Sequence, residues 1–316
     1  MVQTWNTGPL LSDSCGYIAL SHPPSAKRII IAFRGTYSLT NTIIDLSAVP
    51  QTYVPYPTDG DDGDDDNNKG SVTEPKKCQN CTVHAGFWTS WKNSRDTVLS
   101  AVMQAREKYP DYEVTLIGHS LGGAVAALAS LEMYSRGLDP HVTTFGEPKV
   151  GNDKMADFIN EMFDLSKERE GDNDTQMRYR RITHVNDPVP LLPLTEWGYV
   201  PHAGEIHISK LDLPPSREDV EHCIGNTDKR CIAGSEGDEG EEKLKDLSLL
   251  ALGMQQQQQI LSPSTPVQER EEEVEAQWSL VPARYRIWEL FFAHRDYFWR
   301  IGLCVPGGDP SSWRWL

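Results

Sequence analysis

The chain has no apolar run long enough to cross a membrane, and it lacks the basic excess that nucleic-acid binding needs. Its formal net charge is −16, and hydrophobic residues make up 38% of its 316 positions. This length and composition suit one sizeable core. We therefore expect a single domain over residues 1–316, with no transmembrane segment and no nucleic-acid partner.

The acidity is concentrated in three short stretches. Residues 59–66 hold six acids, residues 236–242 hold five, and residues 269–275 hold a net four, so these stretches sum to −15 of the net charge of −16. Polar, charge-rich runs of this kind are typical of solvated loops. We predict disordered insertions at 58–76 and 234–277, while the rest of the chain is nearly neutral.

The first acidic stretch also lacks the pattern of a calcium loop. A loop beginning at Asp62 would need glycine at its sixth position and glutamate at its twelfth, where Asn67 and Thr73 stand. The sequence therefore favours a disordered insertion there over a calcium site.

Six cysteines stand at positions 15, 78, 81, 223, 231 and 304. No histidine lies at ligand spacing beside a second cysteine pair, and no thioredoxin-like unit surrounds Cys78 and Cys81. We therefore predict the short-loop disulfides Cys78–Cys81 and Cys223–Cys231 rather than a zinc or redox site.

Disulfides indicate an oxidising compartment, and two glycosylation sequons, Asn80-Cys81-Thr82 and Asn173-Asp174-Thr175, point the same way. Against this, the opening residues MVQTWNTGPL contain neither the basic n-region nor the apolar h-region of a signal peptide. The residues alone leave two alternatives open, a cytoplasmic chain or a sequence whose start is missing.

Apolar runs alternate with segments of helical periodicity. Runs typical of strands buried on both faces are 28–33, 114–118, 142–146 and 181–185. Helical periodicity covers 94–109, 122–135 and 149–163. The alternation predicts an α/β sheet covered on both sides, and the aromatic stretch 278–304 predicts a final helix.

Each predicted strand ends in a polar loop. These loops are Gly35-Thr36, His119-Ser120, Gly146-Glu147 and Asn186-Asp187. Ligands of open α/β sheets bind at the carboxyl edge of the strands, so four such loops at one edge predict an active site there.

The stretch VTLIGHSLGGAVAALAS contains the pattern G-x-S-x-G between a buried strand and a small-residue helix. This is the nucleophile elbow, in which a strained turn pushes the serine hydroxyl out of the sheet. Side chains two residues before and after Ser120 would collide there, which explains Gly118 and Gly122. The helix that follows offers its N–H groups and its positive dipole end to an oxyanion.

A serine nucleophile needs a base, and the base needs an acid that orients it. Asp187 follows the fourth strand, where the acid of this elbow is expected, although it or Asn186 could equally cap an Asp-Pro turn. His119 adjoins the serine and is not the base, because adjacent side chains point apart. The later histidines are His202, His207, His222 and His294, and spacing does not choose between them. His222 adjoins Cys223 in a predicted disulfide loop and His207 lies in a strand-like stretch, which leaves His202 and His294 as the open alternatives.

Six motifs together resemble those of the fungal class 3 lipases, an α/β-hydrolase group that also includes feruloyl esterases. They are AFRGTYSLTNTIIDL, CQNCTVHAGFWTSW, VTLIGHSLGGAVAALA, TTFGEPKVGN, RRITHVNDPVPLLP and HRDYFWRIGLC. The resemblance covers 29–201 and 288–304. It implies an α/β-hydrolase fold, with a mostly parallel central sheet, helices on both faces and a lid helix.

Carried over position by position, the resemblance assigns the site residues. Ser120 matches the nucleophile, Asp187 the acid, and His294 the base. Thr36 matches the residue that completes the oxyanion hole together with the N–H of Leu121. The resemblance therefore resolves the choice between His202 and His294 in favour of His294.

The segment after Thr36 matches the family's lid. Leu39, Ile43 and Ile44, with Leu46, give it one apolar edge at helical spacing, which could turn toward a lipid surface or pack on the core. Many of these lipases have tryptophan in the lid, whereas Thr42 stands at that place here.

The resemblance implies a serine carboxylic ester hydrolase that needs no metal and no organic cofactor. We expect a monomeric acylglycerol lipase acting on lipid or ester substrates at an oil–water interface. A feruloyl-type esterase or a phospholipase is the alternative within this class, although Gly122-Gly123-Ala124 resembles the lipase branch better. A catalytically silent binding protein on the same scaffold is the alternative from another class.

Family members carry a further upstream cysteine that bridges to the position of Cys304, and it is absent here. We therefore expect this chain to be an N-terminally shortened form of a secreted enzyme rather than a cytoplasmic protein. Cys15 and Cys304 would then be either unpaired or bonded to each other.

Overall fold

The computed structural model describes residues 2–8, 14–35, 46, 53–55, 78–165, 177–234 and 293–301. The predicted insertion 58–76 lies outside these residues, as does 234–277 apart from Gly234, which ends a short 3-10 helix. The two insertions therefore stay predictions.

The described strands form an eight-stranded sheet and a separate two-stranded sheet. The strands are β1 Gln3–Asn6, β2 Cys15–Ser21, β3 Arg28–Phe33, β4 Tyr53–Pro55, β5 Thr82–His84, β6 Glu113–His119, β7 His141–Phe145, β8 Tyr179–His184, β9 Glu205–Ile208 and β10 Val220–His222. The order in the large sheet is β1-β2-β3-β6-β7-β8-β9-β10, and β4 pairs with β5.

The centre of the large sheet is parallel and its edges are antiparallel. Strands β3, β6, β7, β8 and β9 pair in parallel. The pairs β1–β2, β2–β3 and β9–β10 are antiparallel. The carboxyl ends of the five parallel strands therefore meet at one edge. The predicted α/β-hydrolase fold with a mostly parallel sheet is confirmed.

Three α-helices are described, namely α1 Ala85–Lys108, α2 Leu121–Ser135 and α3 Asp153–Phe163. The predicted start of α1 at Ser94 is wrong, because the His84 ring accepts the backbone N–H groups of Gly86 and Phe87 and caps the helix much earlier. The predicted start of α3 at Lys149 is also wrong. The side chain of Asn152 accepts the N–H of Met155 and fixes the beginning of that helix at Asp153.

Helix α2 is the centre of the core. Every residue from Leu121 to Leu131 is buried, because small side chains let α2 pack directly on β3, β6 and β7 while α1 covers another side. A helix that is apolar all round belongs in such a position. The elbow serine at its first turn is therefore held by the best-packed part of the molecule.

The predicted final helix over 278–304 lies mostly outside the described residues. Within 293–301 only Ala293 is helical, and the chain then turns. A bridge joins Asp296 to Arg300, whose guanidinium donates two hydrogen bonds of 2.7 Å to the Asp296 carboxylate. This part of the predicted helix is therefore wrong, because the short-range Asp–Arg pair closes a turn instead.

Both predicted disulfides are present, Cys78–Cys81 and Cys223–Cys231. Cys15 begins β2 and is bonded to no other described cysteine. Cys304 lies outside the described residues, so the two alternatives for this pair stay open.

Candidate active site

Ser120 lies at the turn between β6 and α2, as the elbow pattern predicts. Its backbone has φ 58° and ψ −132°, a region that residues with a side chain rarely occupy. The turn is fixed from both sides, because the Ser120 N–H donates to the Phe145 carbonyl of β7 while the Ser120 carbonyl accepts from Gly123. Packing of α2 thus stabilises a conformation that an isolated peptide would avoid.

The two glycines of the motif permit close backbone approach. A β-carbon at Gly118 would meet the backbone of Gly122 and Gly123, and one at Gly122 would meet the backbone carbonyls of Phe33 and Arg34. The predicted collision around the serine is therefore confirmed, and it arises from the helix lying directly on two strands.

The end of β3 reaches the same place. A β-carbon built at Gly35 would lie 3.0 Å from Ser120 Cβ and 2.9 Å from the carbonyl oxygen of His119. Thr36, the predicted oxyanion residue, follows Gly35 but lies outside the described residues. Leu121, which the sequence predicts as the other oxyanion donor, begins α2 directly after the serine, with its side chain buried.

Asp187 lies in the loop that follows β8, and it is buried. Its Oδ1 accepts the N–H of Val189 at 3.0 Å, so it also caps the turn that follows. Its Oδ2 accepts the hydroxyl of Tyr297 at 2.6 Å. Asn186, the other candidate for the turn, adopts a left-handed φ of 67° instead.

His294 is the histidine that the structure brings to Asp187. Its Nδ1 lies 2.9 Å from both carboxylate oxygens, and its ring is fully buried. The other candidates lie elsewhere. His202 is held between Glu147 and the Ala203 carbonyl, His207 contacts Thr183, and His222 is exposed on β10.

The charge of Asp187 is stabilised where burial alone would remove it. Burial raises its pKa, but the neighbouring His294 and the hydrogen bonds from His294, Tyr297 and Val189 outweigh this, so that the net pKa of Asp187 lies below its usual value. The acid is thus an anion that holds one nitrogen of His294, while the other nitrogen faces away from it.

The atoms that a triad would use for chemistry are unoccupied by other contacts. Ser120 Oγ and His294 Nε2 are both buried, and neither has a hydrogen-bond partner among the described residues. The ring of His119, next to Ser120 in the chain, has its centroid 4.5 Å from that of His294, which puts His294 near the elbow. Because neither atom has a partner, the hydrogen bond between Ser120 and His294 that a triad would use is not formed in this structure.

Two residues of this site were missed by the sequence reasoning. Tyr297, three residues after His294, donates to Asp187, and only its place in the HRDYFWR motif could have suggested it. Gly146 has φ 57°, and a β-carbon there would meet the Tyr297 hydroxyl, His294 Cε1 at 2.6 Å and Asp187 Oδ2 at 2.8 Å. The polar loop after β7 was noticed, but Glu147 in it bonds to Tyr179 and His202 rather than to the triad.

The predicted lid residues Leu39, Ile43 and Ile44 lie outside the described residues. Leu46, from the same predicted apolar edge, is described and is fully buried in the main core. Of the two alternatives for the apolar edge, Leu46 therefore follows the second and packs on the core.

In the part of the chain that the structure describes, no three His, Cys, Asp or Glu side chains are grouped so as to hold a metal ion. None of the helices there combines the length and the apolarity that a membrane crossing requires.

Comparison with known proteins gives a consistent result. Residues 30–197 match the family described as lipase (class 3). Lipase A of Sodiomyces alcalophilus is 50% identical, over 98% of this chain and 74% of its own length. The secreted mono- and diacylglycerol lipase 2 of Gibberella zeae is 47% identical, over 99% of this chain and 74% of its own length. The solved nonglycosylated LIP2 lipase of Yarrowia lipolytica superimposes with a TM-score of 0.61 at 32% identity, covering 74% of each chain.

Proposed function

This chain belongs to the class 3 lipases and is a carboxylic ester hydrolase, and we propose that it cleaves acylglycerols with Ser120, Asp187 and His294 as its catalytic triad. The single observation that carries the proposal is the pair of 2.9 Å contacts between His294 Nδ1 and Asp187, next to the strained Ser120.

In the first half-reaction Ser120 Oγ attacks the ester carbonyl, and His294 Nε2 takes the serine proton. Asp187 holds Nδ1–H and stabilises the imidazolium that forms. The developing oxyanion would accept the N–H of Leu121 and the N–H and hydroxyl of Thr36, at the positive end of α2. His294 then returns the proton to the leaving alcohol, which leaves an acyl-serine.

In the second half-reaction water attacks the acyl group, with His294 as base again, and the fatty acid leaves as Ser120 recovers its proton. Every group needed for both steps comes from one chain. A monomer working at an oil–water interface, without a metal or an organic cofactor, is therefore sufficient.

The proposed substrate class follows the names of the relatives, three of which are called secreted mono- and diacylglycerol lipases. A feruloyl-type esterase, a phospholipase and a catalytically silent protein are the other outcomes that the test distinguishes. We propose that the enzyme works outside the cell, because these relatives are named as secreted and both disulfides suit an oxidising compartment. Immunodetection in culture medium against cell extract would test the location.

The decisive experiment is a substrate panel with matched serine variants. Wild type, Ser120→Ala and Ser94→Ala are assayed on a short p-nitrophenyl ester, a monoacylglycerol, a triacylglycerol, a phosphatidylcholine and methyl ferulate. Ser94 is a buried serine of α1 whose hydroxyl donates to the Ser90 and Trp91 carbonyls of the same helix. It therefore controls for the loss of a buried hydroxyl.

We expect Ser120→Ala to lose about 10⁶-fold in kcat while Ser94→Ala retains activity. Acylglycerols should be the best substrates of the wild type. A preference for methyl ferulate would indicate a feruloyl-type esterase, and a preference for phosphatidylcholine would indicate a phospholipase. A wild type inactive on the whole panel would favour a catalytically silent protein.

A further inference from the structure

The segment 293–301 carries the proposed base but follows the nucleophile by a long stretch of sequence. Tyr297, with the partly buried Phe298 and Ile301, packs on apolar residues of β8 and β9. Near the proposed triad, the segment 293–301 makes hydrogen bonds to Asp187 through His294 and Tyr297. It also makes one further hydrogen bond, in which the His119 ring contacts the backbone carbonyl of His294. This last bond joins the segment directly to the elbow.

The bond has a defined direction. His119 Nε2 lies 2.6 Å from the His294 carbonyl oxygen. Because a carbonyl oxygen can only accept, Nε2 of His119 carries the proton and donates it. The two rings are tilted by 39° with respect to each other, with centroids 4.5 Å apart.

His119 stays neutral beside the base. Burial, the adjacent His294 and Arg295 together lower the pKa of His119 to about 3. The His294 carbonyl and Asp187 oppose this with smaller effects. A neutral ring donates one hydrogen bond without placing a positive charge beside the imidazolium that His294 becomes during catalysis.

We propose that His119 is a positioning residue that fixes His294 relative to Ser120 through its hydrogen bond to the His294 carbonyl. The inference rests on the proposed function, since it concerns the same triad. His119 is the last residue of β6 and is joined to Ser120 by one peptide bond. The strained backbone that aims the serine therefore also aims the donor that holds the base, so one turn sets both partners of the proton transfer.

The experiment compares His119→Phe, which removes the donor, with His119→Gln, whose side-chain amide can reach the position of Nε2. The matched control is His22→Phe. The ring of His22 makes a 2.6 Å contact with the Tyr112 hydroxyl, next to the start of β6 and thus at the opposite end of the strand from Ser120. Each variant is measured for kcat and KM on a soluble p-nitrophenyl ester, for the rate of labelling by a phosphonate ester, and for melting temperature.

For His119→Phe we expect kcat and the labelling rate to fall by about 10- to 100-fold, with KM changed less than about twofold, because only the alignment of the base is lost. His119→Gln should recover much of that loss. His22→Phe should leave kcat unchanged, because it removes a histidine contact at the other end of the strand.

The inference is overturned if His119→Phe keeps kcat within about twofold, or if His119→Gln is no better than His119→Phe, since the donor would then be irrelevant. It is also overturned if His22→Phe lowers kcat equally, which would show that general destabilisation suffices. Failure of the proposed function looks different, because the wild type would then be inactive or Ser120→Ala would remain active.

Discussion

The N-cap of α1 makes an acid-sensitive contact that can be tested by a single substitution. The buried His84 ring accepts the N–H groups of Gly86 and Phe87 through Nδ1, at 3.1 and 3.3 Å. An Nδ1 that accepts has no proton, so the native helix requires neutral His84. Burial lowers the pKa of His84 from 6.5 to about 4.

Because the pKa of His84 is lower in the folded state, the unfolded chain binds the proton first as the pH falls. The contribution of neutral His84 is fully present above pH 6.5 and is lost as the pH falls toward about 4. At pH 4.5 protonation of this side chain stabilises the unfolded chain but hardly the native protein, given these two pKa values. The net loss of unfolding free energy relative to pH 8 is therefore about 2–3 kcal/mol.

His84→Asn removes this titration and keeps a cap, because the asparagine oxygen can accept the same N–H groups. It also loses the stacking of the His84 ring on Phe87, whose centroids lie 4.1 Å apart, but that cost does not change with pH. The free energy of unfolding of both proteins is measured in urea at pH 8 and at pH 4.5. His222→Asn, at the exposed end of β10, is the control for losing a histidine.

We expect His84→Asn to lose about 2–3 kcal/mol less than the wild type between the two pH values, whatever its stability at pH 8. All other titrating groups are shared and cancel in the comparison. Equal losses in the two proteins would refute the reasoning, because His84 would then titrate alike in the folded and unfolded states.

Three further substitutions test the packing around the site. Gly122→Ala should lower the melting temperature by several degrees or prevent folding, because its β-carbon would meet the backbone at the end of β3; an unchanged melting temperature would contradict that close approach. Arg181→Met should lower the free energy of unfolding by about 3–5 kcal/mol in a urea titration, because it removes the guanidinium 3.0 Å from the buried Glu205 carboxylate. A loss below about 1 kcal/mol would mean that the remaining donors to Glu205 are sufficient. Replacing Cys223 and Cys231 by serine should cost about 2.5 kcal/mol and leave kcat on a soluble ester unchanged; a matching fall in kcat would link this loop to the site.

The centre of the fold could be predicted because its sequence signals are local. The run predicted over 28–33 is strand β3, and the predicted helix 122–135 differs from α2 by one residue at its start. Continuous apolar strands and a small-residue helix are read directly from periodicity, since burial on both faces leaves no polar interruptions. The strain at Ser120 was predictable for the same reason, because the strand and the helix meet without a loop.

The edges of the sheet gave no such signal. In β1 and β2 only Trp5 and Ile18 are buried, so these strands lack the extensive burial of the central strands. The start of α1 could not be predicted because its N-cap is His84, and histidine is not among the residues that indicate the start of a helix. Tertiary contacts, rather than local preference, decide these elements.

The choice of base shows what a single sequence cannot give without a known family. His202 and His294 have equal standing by spacing, and both are buried with a carboxylate partner, Glu147 for the first and Asp187 for the second. Only the fold decides which carboxylate lies beside Ser120, because Asp187 and His294 are separated by 107 positions. Resemblance chose His294, and the structure places that histidine against Asp187.

Docking of the segment 293–301 and ionisation of Asp187 depend on each other. Among the described residues, the Asp187 carboxylate is held by Val189, His294 and Tyr297, and two of these three belong to that segment. In the docked state, the donors of that segment hold the pKa of Asp187 below its usual value against the opposing effect of burial. If Asp187 were neutral, the segment would lose a charged acceptor for both its histidine and its tyrosine. Asp187 and His294, the proposed acid and base, are therefore held together by donors of one short segment.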